Sequence, residues 1–339
     1  MSDEQTTNQE RLLSIVHRFS ERKIVVVGDA IADQFLYGSI ARVSREAPVF
    51  ILRHEQTQTI PGGAANCAVN LSALGAQVSL LAASGDDEAG RELRAKLQNA
   101  KVDASGLITS SAFNTTTKVR ILAGQAHSTR QQVIRIDYED QPFSDSNTRQ
   151  AVNEALEKAV RDADAVIISD YNYGVVDESV VALLREVSEK RKIPILVDSR
   201  FRLASFGGFT SATPNEDEVE NLLGEKVESS PQLEKSAEVL RQKLGYKALL
   251  VTRGSQGMML LENGGAPLHI KAVGAASPVD VTGAGDTVIA TFTLALSCDS
   301  SFAEAAQLAN YAGGLVVMKR GTASITSAEL EHSIVNSEL

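Results

Sequence analysis

The chain has 339 residues, 43% of them hydrophobic, which is enough for one large α/β domain with a small appendage or for two modest domains. Its formal net charge of −10 disfavours binding to nucleic acid or to an anionic membrane, because long-range repulsion opposes both encounters. The polar N-terminus lacks a signal-peptide pattern, and the longest apolar run, 288–296, is too short to cross a bilayer. We therefore expect a cytoplasmic protein that acts on small molecules.

In chain order, a polar N-terminal extension, 1–22, is expected to form a loosely attached helix. After it, short β-branched runs alternate with helical patterns. The predicted strands occupy 24–27, 78–82, 165–168, 193–197 and 248–252. The predicted helices occupy 64–74, 88–98, 147–161, 178–190, 233–244, 284–296 and 302–319. Because the strands are nearly all apolar, they predict a mainly parallel sheet with helices on both faces, in a domain spanning 23–339.

Two stretches, about 34–60 and 115–138, interrupt this alternation with strand patterns that have no intervening helices. We interpret them as one small antiparallel sheet that covers the main domain as a lid; the alternative is an extension of the main sheet's edge. Exposed strand edges often pair, so the lid also predicts a homodimer. Arg42, Lys118 and Arg120 lie in or next to the lid and are candidates for binding a substrate phosphate.

The segment from Asp280 to Thr287, DVTGAGDT, opens directly into an apolar helix. The unpaired N–H groups of Gly283, Ala284 and Gly285 would lie at the positive end of that helix and form an anion hole. Asp286 in the first turn would then lie beside a transferring phosphoryl group, within reach of the attacking hydroxyl. In the alternative reading, Asp280 or Thr282 caps the helix and the glycines only form the turn.

Two further segments are candidates for substrate contact. Gly62 and Gly63 precede a helix and let a sugar approach the backbone, while Asn66 can donate to and accept from hydroxyls; a plain glycine turn explains them equally well. Asp29 and Asp33 follow the first buried strand, at the edge where open α/β sheets bind ligands. Either carboxylate could instead belong to a turn or to the surface.

Candidates for the nucleotide and its metal come from the second half of the chain. Asn215 and Glu218, three residues apart, could bind Mg²⁺ through water, or could form an ordinary acidic first turn of a helix. Arg200 and Arg253 follow predicted strands and could clamp a phosphate, although both could equally be surface residues. Asn310, in the last long helix, could reach the nucleotide or lie on a solvated face.

Several other chemistries are disfavoured by their missing patterns. The sequence has no GxxxxGK[ST] phosphate loop, no GxGxxG continuation after Gly283 and no GxSxG elbow. Cys67 and Cys298 have no paired spacing and are expected to be core residues, and the five histidines show no metal-ligand spacing.

Together, GGAANCAVNLSALG from Gly62 and DVTGAGDTVIA from Asp280 resemble the two signature segments of the PfkB/ribokinase carbohydrate-kinase family. The resemblance covers about 23–325 and implies a ribokinase-like fold and ATP-dependent phosphorylation of a sugar hydroxyl, with Mg²⁺ as cofactor. It implies that Asp286 is the base, and it adds Thr252 and Gly257, in VTRGSQG, to the ATP-binding residues. It leaves open a potassium site near Asp280 and Thr282.

Within that family, stretches such as SREAPV, RQQVIRIDYED and SDYNYGVV resemble the kinase domains of the bacterial heptose-7-phosphate kinase/ADP-heptose synthase group. This resemblance implies phosphorylation of a heptose 7-phosphate at its anomeric hydroxyl. Tyr173 departs from the group's SDYxKG pattern, which has lysine there, so a kinase for another sugar, sugar phosphate or nucleoside stays open. A catalytically silent sugar or nucleotide sensor is the alternative from a different functional class.

Overall fold

The computed structural model describes residues 3–124, 130–139, 143, 145–274 and 278–336. Its strands are β1 Lys23–Gly28, β2 Ala30–Val43, β3 Phe50–Gly63, β4 Gln77–Gly85, β5 Leu107–Ser110, β6 Thr117–Gly124, β7 Gln131–Tyr138, β8 Ala165–Asp170, β9 Ile195–Ser199, β10 Ser211–Ala212, β11 Ala248–Thr252, β12 Met258–Glu262 and β13 Leu268–Ile270. Its α-helices are α1 Asp3–Val16, α2 Ala64–Ala73, α3 Glu88–Asn99, α4 Ser146–Ala159, α5 Glu178–Arg191, α6 Glu216–Leu223, α7 Ser230–Leu244, α8 Ala284–Ser297, α9 Phe302–Val316 and α10 Ser327–Asn336. Every predicted strand and helix of the main domain is therefore confirmed in type, with ends that differ by a few residues.

Within the described residues, nine strands form the large sheet, in the order β13-β12-β11-β10-β9-β8-β1-β4-β5. Neighbouring strands are parallel from β5 to β11, whereas β12 pairs antiparallel with both β11 and β13, so β13 runs in the same direction as β11. The run 24–27 of strand β1 is apolar because the strand is buried on both faces. Ile24 and Val26 belong to the core on one face, and Val25 and Val27 belong to the core on the other. The fold class predicted from the sequence is thus confirmed.

The order of the large sheet also locates a binding crevice. From β1 the chain continues to its neighbour β4 on one side and later returns to β8 on the other, so the winding direction reverses between β1 and β8. Open α/β sheets bind ligands at such a switch point, beyond the carboxyl ends of the strands. Gly28 ends β1 there, and a Cβ atom on it would lie 1.9 Å from the Ser169 carbonyl oxygen, so β1 and β8 approach closely only because this residue is glycine.

The lid, defined here as β2, β3, β6 and β7, is a separate four-stranded sheet in the order β3-β2-β6-β7. Its two excursions are confirmed as one small sheet, and the alternative of an extended main sheet is wrong. The expectation of a wholly antiparallel lid is also wrong, since β2 and β6 pair in parallel between two antiparallel pairs. Both of these strands lead outward from the carboxyl edge of the large sheet, after β1 and β5, and therefore run in the same direction.

The N-terminal helix α1 is not loosely attached, contrary to expectation. Leu12, Ile15 and Val16 recur at helical spacing and are buried in the main core, and α1 packs against α10. On the polar side, the Arg11 guanidinium bonds to the Glu304 carboxylate at 2.8 Å. The extension is therefore part of the domain's packing. No helix within the described residues is long and apolar enough to cross a membrane.

Candidate active site

A cavity of about 860 Å³ lies between the carboxyl ends of the large sheet and the lid. It gathers many of the side chains and glycines predicted from the sequence. These lining residues are Asp33, Gly63, Lys118, Arg120, Arg200, Asn215, Glu218, Thr252, Gly283, Gly285 and Asp286. Because they come from segments spread over most of the chain, the cavity is a site assembled by the fold.

Asp286 lies in the first turn of α8 on the cavity wall and is only 5% exposed. The Asn66 side-chain amide donates to Oδ2 at 2.7 Å, and the Tyr171 hydroxyl lies 3.3 Å from Oδ1. Burial raises the pKa of Asp286 to about 7, the two hydrogen bonds oppose that rise, and the charge of Asp33 adds to it. A carboxylate with a pKa near neutrality can exchange a proton with a substrate hydroxyl.

The start of α8 has the form that the DVTGAGD segment predicts, except that the Ala284 N–H donates to the Val281 carbonyl at 3.2 Å and is therefore not unpaired. Gly283 has φ of 78°, in the left-handed region, and the helix begins at Ala284. A Cβ atom on Gly285 would meet no heavy atom within 4 Å, whereas one on Gly283 would lie 2.6 Å from Nδ2 of Asn66. Gly285 thus leaves space in the cavity, while Gly283 permits the close approach of α2. The capping alternative is wrong: the residue before the helix is Gly283, no side chain caps it, and the Asp280 carboxylate accepts the N–H groups of Thr282 and Gly321, both outside the helix.

Asn66 has a different contact from the one predicted. Its amide bonds to Asp286 rather than lining the cavity, and its Oδ1 accepts from the Asn70 amide at 3.1 Å. The Thr287 hydroxyl donates to Oδ1 of Asn70 at 2.9 Å, which fixes the amide orientations along the chain of bonds. These side chains are buried, so Asn66 acts on the site through Asp286.

Asp29 likewise does not line the cavity, although it follows β1 as predicted. Its carboxylate is 2% exposed and accepts backbone N–H groups from Tyr171, Tyr173 and Val175, at 2.8, 3.0 and 3.1 Å. Burial raises the pKa of Asp29 to about 6 despite these bonds, with a smaller contribution from Asp170. Asp29 therefore shapes the loop after β8. Gly62, also predicted to contact the substrate, does not line the cavity either, because it packs against Asp33.

The inner face of the lid carries alternating charges toward the cavity. In register, Asp33 lies opposite Lys118, and Arg120 lies opposite Arg135. Arg120 pairs with Asp33, Lys118 with Glu139 at 3.3 Å, and Arg135 with Asp137 at 2.7 Å. Arg42 is exposed near the end of β2 and is not among the cavity residues. Lys118 and Arg120 thus fit the predicted phosphate contact, and Arg135 joins them.

Asn215 and Glu218 line the cavity but also cap α6. The Asn215 side chain accepts the Glu218 N–H at 2.8 Å, and Oε2 of Glu218 accepts the Asn215 N–H at 3.0 Å, forming a capping box. Asn215 is therefore the residue before the helix, not one on its face. Glu218 faces the cavity with a carboxylate, the donor type that Mg²⁺ takes through water, so it fits the predicted metal role better than Asn215. Within the described residues no cluster of three or more acidic, His or Cys ligands forms a metal site.

Three of the predicted nucleotide contacts have structural partners away from the cavity. The Arg253 guanidinium pairs with Glu216 at 2.8 Å, and the Asn310 amide donates to the Lys271 carbonyl at 2.7 Å. Gly257 has φ of 90° in a tight turn before β12, where a Cβ atom would lie 2.0 Å from the Ile270 carbonyl oxygen. Arg200 and Thr252 do line the cavity.

Sequence reasoning missed several cavity residues that follow buried strands. Asp170 ends β8, where Arg202 pairs with it, and Asp198 lies in β9. Burial raises the pKa of Asp198 well above its usual range, and Asp286 and Glu218 reinforce the rise. Their position in the sequence could have identified them, since polar residues at the carboxyl end of a parallel strand face the ligand crevice. Tyr171 carried the same signal.

By topology and by site, the chain is a ribokinase-like α/β protein, and solved structures agree with that class. Ribokinase from Arabidopsis thaliana, solved with ribose and ATP, superposes with a TM-score of 0.73 at 23% identity, over 93% of this chain and 99% of that one. Phosphofructokinase-2 from Escherichia coli, solved with substrates and products, gives 0.76 at 18% identity, over 93% and 98% of the two chains. At these identities the likeness concerns the fold.

The pfkB family of carbohydrate kinases matches residues 21–329, and the chain belongs to that family. Among curated relatives, the bifunctional protein HldE of Nitrosococcus oceani is 41% identical over 321 residues, which cover 93% of this chain. The match covers 64% of HldE, so the chain spans less than two thirds of the relative's length.

The two glycines of the α8 start should respond differently to the same substitution. Gly283→Ala should destabilise the protein by at least about 1–2 kcal/mol, because a side chain is strained at this left-handed residue and would approach Asn66. Gly285→Ala should leave the free energy of unfolding equal or slightly higher, since the position is helical and open, yet it should slow turnover by filling the cavity. Urea denaturation and kinase assays on both variants check this; equal destabilisation would contradict it.

Proposed function

We propose that this chain transfers the γ-phosphoryl group of ATP to a sugar hydroxyl, with Asp286 as the base. The observation that carries the proposal is the buried Asp286 carboxylate, with a pKa raised to about 7, beside the open start of α8. The N–H groups of the first helical turn supply positive potential where charge develops on the phosphoryl group. Asp286 then accepts the hydroxyl proton as the new O–P bond forms.

Other groups that line the cavity are suited to binding polar, phosphorylated ligands. The buried hydroxyls of Thr213 and Thr322 line the cavity and have no hydrogen-bond partner within the described residues. Arg200 offers a positive charge near the carboxyl end of β9. Mg²⁺, held through water by Glu218, would offset the charge of the ATP phosphates. Potassium near Asp280 stays a prediction.

The substrate that we propose is a heptose 7-phosphate, phosphorylated at its anomeric hydroxyl. The sequence resemblance to heptose-7-phosphate kinase domains favours it, and the lid cations Lys118, Arg120 and Arg135 supply charge for a phosphate at the far end of the sugar. Tyr173 favours another sugar or a nucleoside, because its phenol replaces a positive charge and donates to Glu139 at 2.8 Å. ATP and sugar phosphates are cytoplasmic metabolites, which favours action in the cytoplasm.

ADP release across free and phosphorylated heptoses, hexoses and pentoses, with a nucleoside included, tests the activity and its substrate. Turnover fastest with heptose 7-phosphate is the expected result, and Asp286→Asn should lower kcat by about 10²–10⁴. Because Asp286 must be ionised to act, kcat/KM should fall as the pH drops below about 7. Binding without turnover on any acceptor would favour the sensor, and wild-type turnover by Asp286→Asn would remove Asp286 as the base.

Arg135→Gln tests the lid cations with less disturbance than a change at Arg120, because the Asp137 partner of Arg135 is 23% exposed, whereas the Asp33 partner of Arg120 is 9% exposed. We expect KM for the phosphorylated sugar to rise about 10-fold or more, the value of a charge-assisted hydrogen bond, with KM for the free sugar unchanged. Arg53→Gln is the matched control, because Arg53 is an exposed arginine of β3 that does not line the cavity. Equal changes for both sugars would contradict the phosphate role.

We also propose that the outer face of the lid pairs with a second copy of the chain. Side chains alternate along β7, so Arg135 faces the cavity while Ile134, Ile136 and Tyr138 lie on the other face, 39–58% exposed. Val119 and Ile121 of β6 lie opposite Ile136 and Ile134 and extend this apolar surface. An exposed apolar face on a sheet is typical of an interface.

Ile134→Asp should convert the dimer to a monomer, because it would bury an unpaired carboxylate at the interface. Light scattering coupled to size-exclusion chromatography measures the mass. Gln98→Asp on α3, an exposed position outside the four lid strands, is the control for added charge and should stay dimeric. A monomeric native chain, or a dimeric Ile134→Asp variant, would contradict pairing through this face.

A further inference from the structure

The Asp286 carboxylate receives side-chain hydrogen bonds from two different elements. Asn66 of α2 donates to Oδ2, and Tyr171, in the loop after β8, places its hydroxyl 3.3 Å from Oδ1. Asn66 is fixed by Asn70, as described above, so that one half of the carboxylate has a rigid partner. The other half depends on where the loop holds Tyr171.

That loop is fixed from beneath by Asp29. The Asp29 carboxylate accepts the N–H groups of Tyr171, Tyr173 and Val175, so three of five successive residues bond to one buried side chain. Within the loop, Asn172 and Gly174 have φ of 65° and 107°, which turn the backbone tightly around this carboxylate. Asp29 thus sets the position of the Tyr171 ring, although it has no contact with the cavity.

We propose that Tyr171 is a positioning residue that orients Asp286 and stabilises its ionised form, with Asp29 holding the loop that carries it. The inference rests on the proposed function, in which Asp286 is the base. The phenol acts as a donor only: burial, reinforced by the charge of Asp286, raises the pKa of Tyr171 above its usual value, so it keeps its proton at neutral pH. The substrate proton therefore passes to Asp286 and not to Tyr171.

Other charged or titratable groups face Asp286 from the surrounding elements. These are Cys67 on α2, Asp33 on β2 with its partner Arg120 on β6, and Asp198 on β9 with Arg200 after it. All of them persist when only the Tyr171 hydroxyl is removed. A change in the titration of Asp286 in that variant can therefore be assigned to the lost hydrogen bond.

Tyr171→Phe in the full chain tests the proposal through kcat/KM measured from about pH 5.5 to about pH 9. A hydrogen bond donated to the ionised carboxylate lowers its pKa. In the variant, which lacks this bond, the acid limb of the kcat/KM profile should therefore lie at higher pH. Turnover should fall about 2–10-fold near pH 7 and less at high pH, as expected for one hydrogen bond. Tyr173→Phe is the matched control, because that hydroxyl donates to Glu139 instead and its loss should leave the acid limb in place.

An acid limb unmoved in Tyr171→Phe would overturn the proposal, and so would a uniform loss of activity at every pH, which a merely structural role predicts. Asp29→Asn gives a second readout, with a shift in the same direction and a lower melting temperature, since an amide has one acceptor oxygen for the three N–H groups. Wild-type turnover by Asp286→Asn would instead refute the base itself, so failure of the two proposals can be told apart.

Discussion

The hydrogen bond between the Asn66 amide and the Asp286 carboxylate joins the starts of α2 and α8, and the site is built around it. Each of these helices begins directly after a glycine with positive φ, Gly63 with φ of 57° and Gly283 with φ of 78°. Alanine follows both glycines, so the two helix starts approach without bulky side chains between them. Two positive helix ends therefore converge near one carboxylate, which stabilises negative charge there.

This arrangement explains why the two signature segments, more than 200 residues apart, occur together. The α2 segment supplies the partner that holds the proposed base, and the α8 segment supplies that base and the N–H groups of the first helical turn. A glycine turn at Gly63 alone would need no Asn66, and a helix start at Gly283 alone would need no Asp286. Because Asn66 and Asp286 bond to each other, one shared functional role accounts for both segments better than two unrelated structural roles.

The charges on the inner face of the lid are compatible with those at the carboxyl ends of the large sheet. On the lid's inner face, each cation facing the cavity already has an acidic partner, so the face is close to neutral and can lie over the acidic carboxyl ends of the sheet. In the proposed reaction, closure of the lid over the bound substrates would exclude water, which would reduce competing hydrolysis and strengthen the electrostatic interactions inside the site. A substrate phosphate entering there would replace a protein carboxylate as the anionic partner of these cations.

The sequence predicted the class, the main strands and the helix starts because these depend on local signals: apolar runs, glycines and spacing. It did not predict which polar atoms meet. Asp29 and Asn66 have the chemistry of substrate contacts, and only the path of the loop after β8 and the approach of α8 show that their polar atoms bond to protein groups. The parallel pairing of β2 with β6 and the burial of Leu12 and Ile15 likewise depend on contacts between distant segments. Tertiary contacts decided each of these cases.

Burial of acidic groups at this edge has a cost in stability that the proposed catalytic role of Asp286 explains. Asp29 and Asp286 have folded-state pKa values near 6 and near 7, above the usual value of 3.8, so their ionised forms are disfavoured in the folded protein. Their penalty is fully present above those folded values and disappears as the pH falls toward 3.8, where the unfolded chain also binds the protons. A protein selected for stability alone would replace such groups with neutral ones of the same shape. Retaining a carboxylate at Asp286, and supporting it with Asn66 and with a loop tied to Asp29, is consistent with selection for a proton acceptor at this point in the cavity.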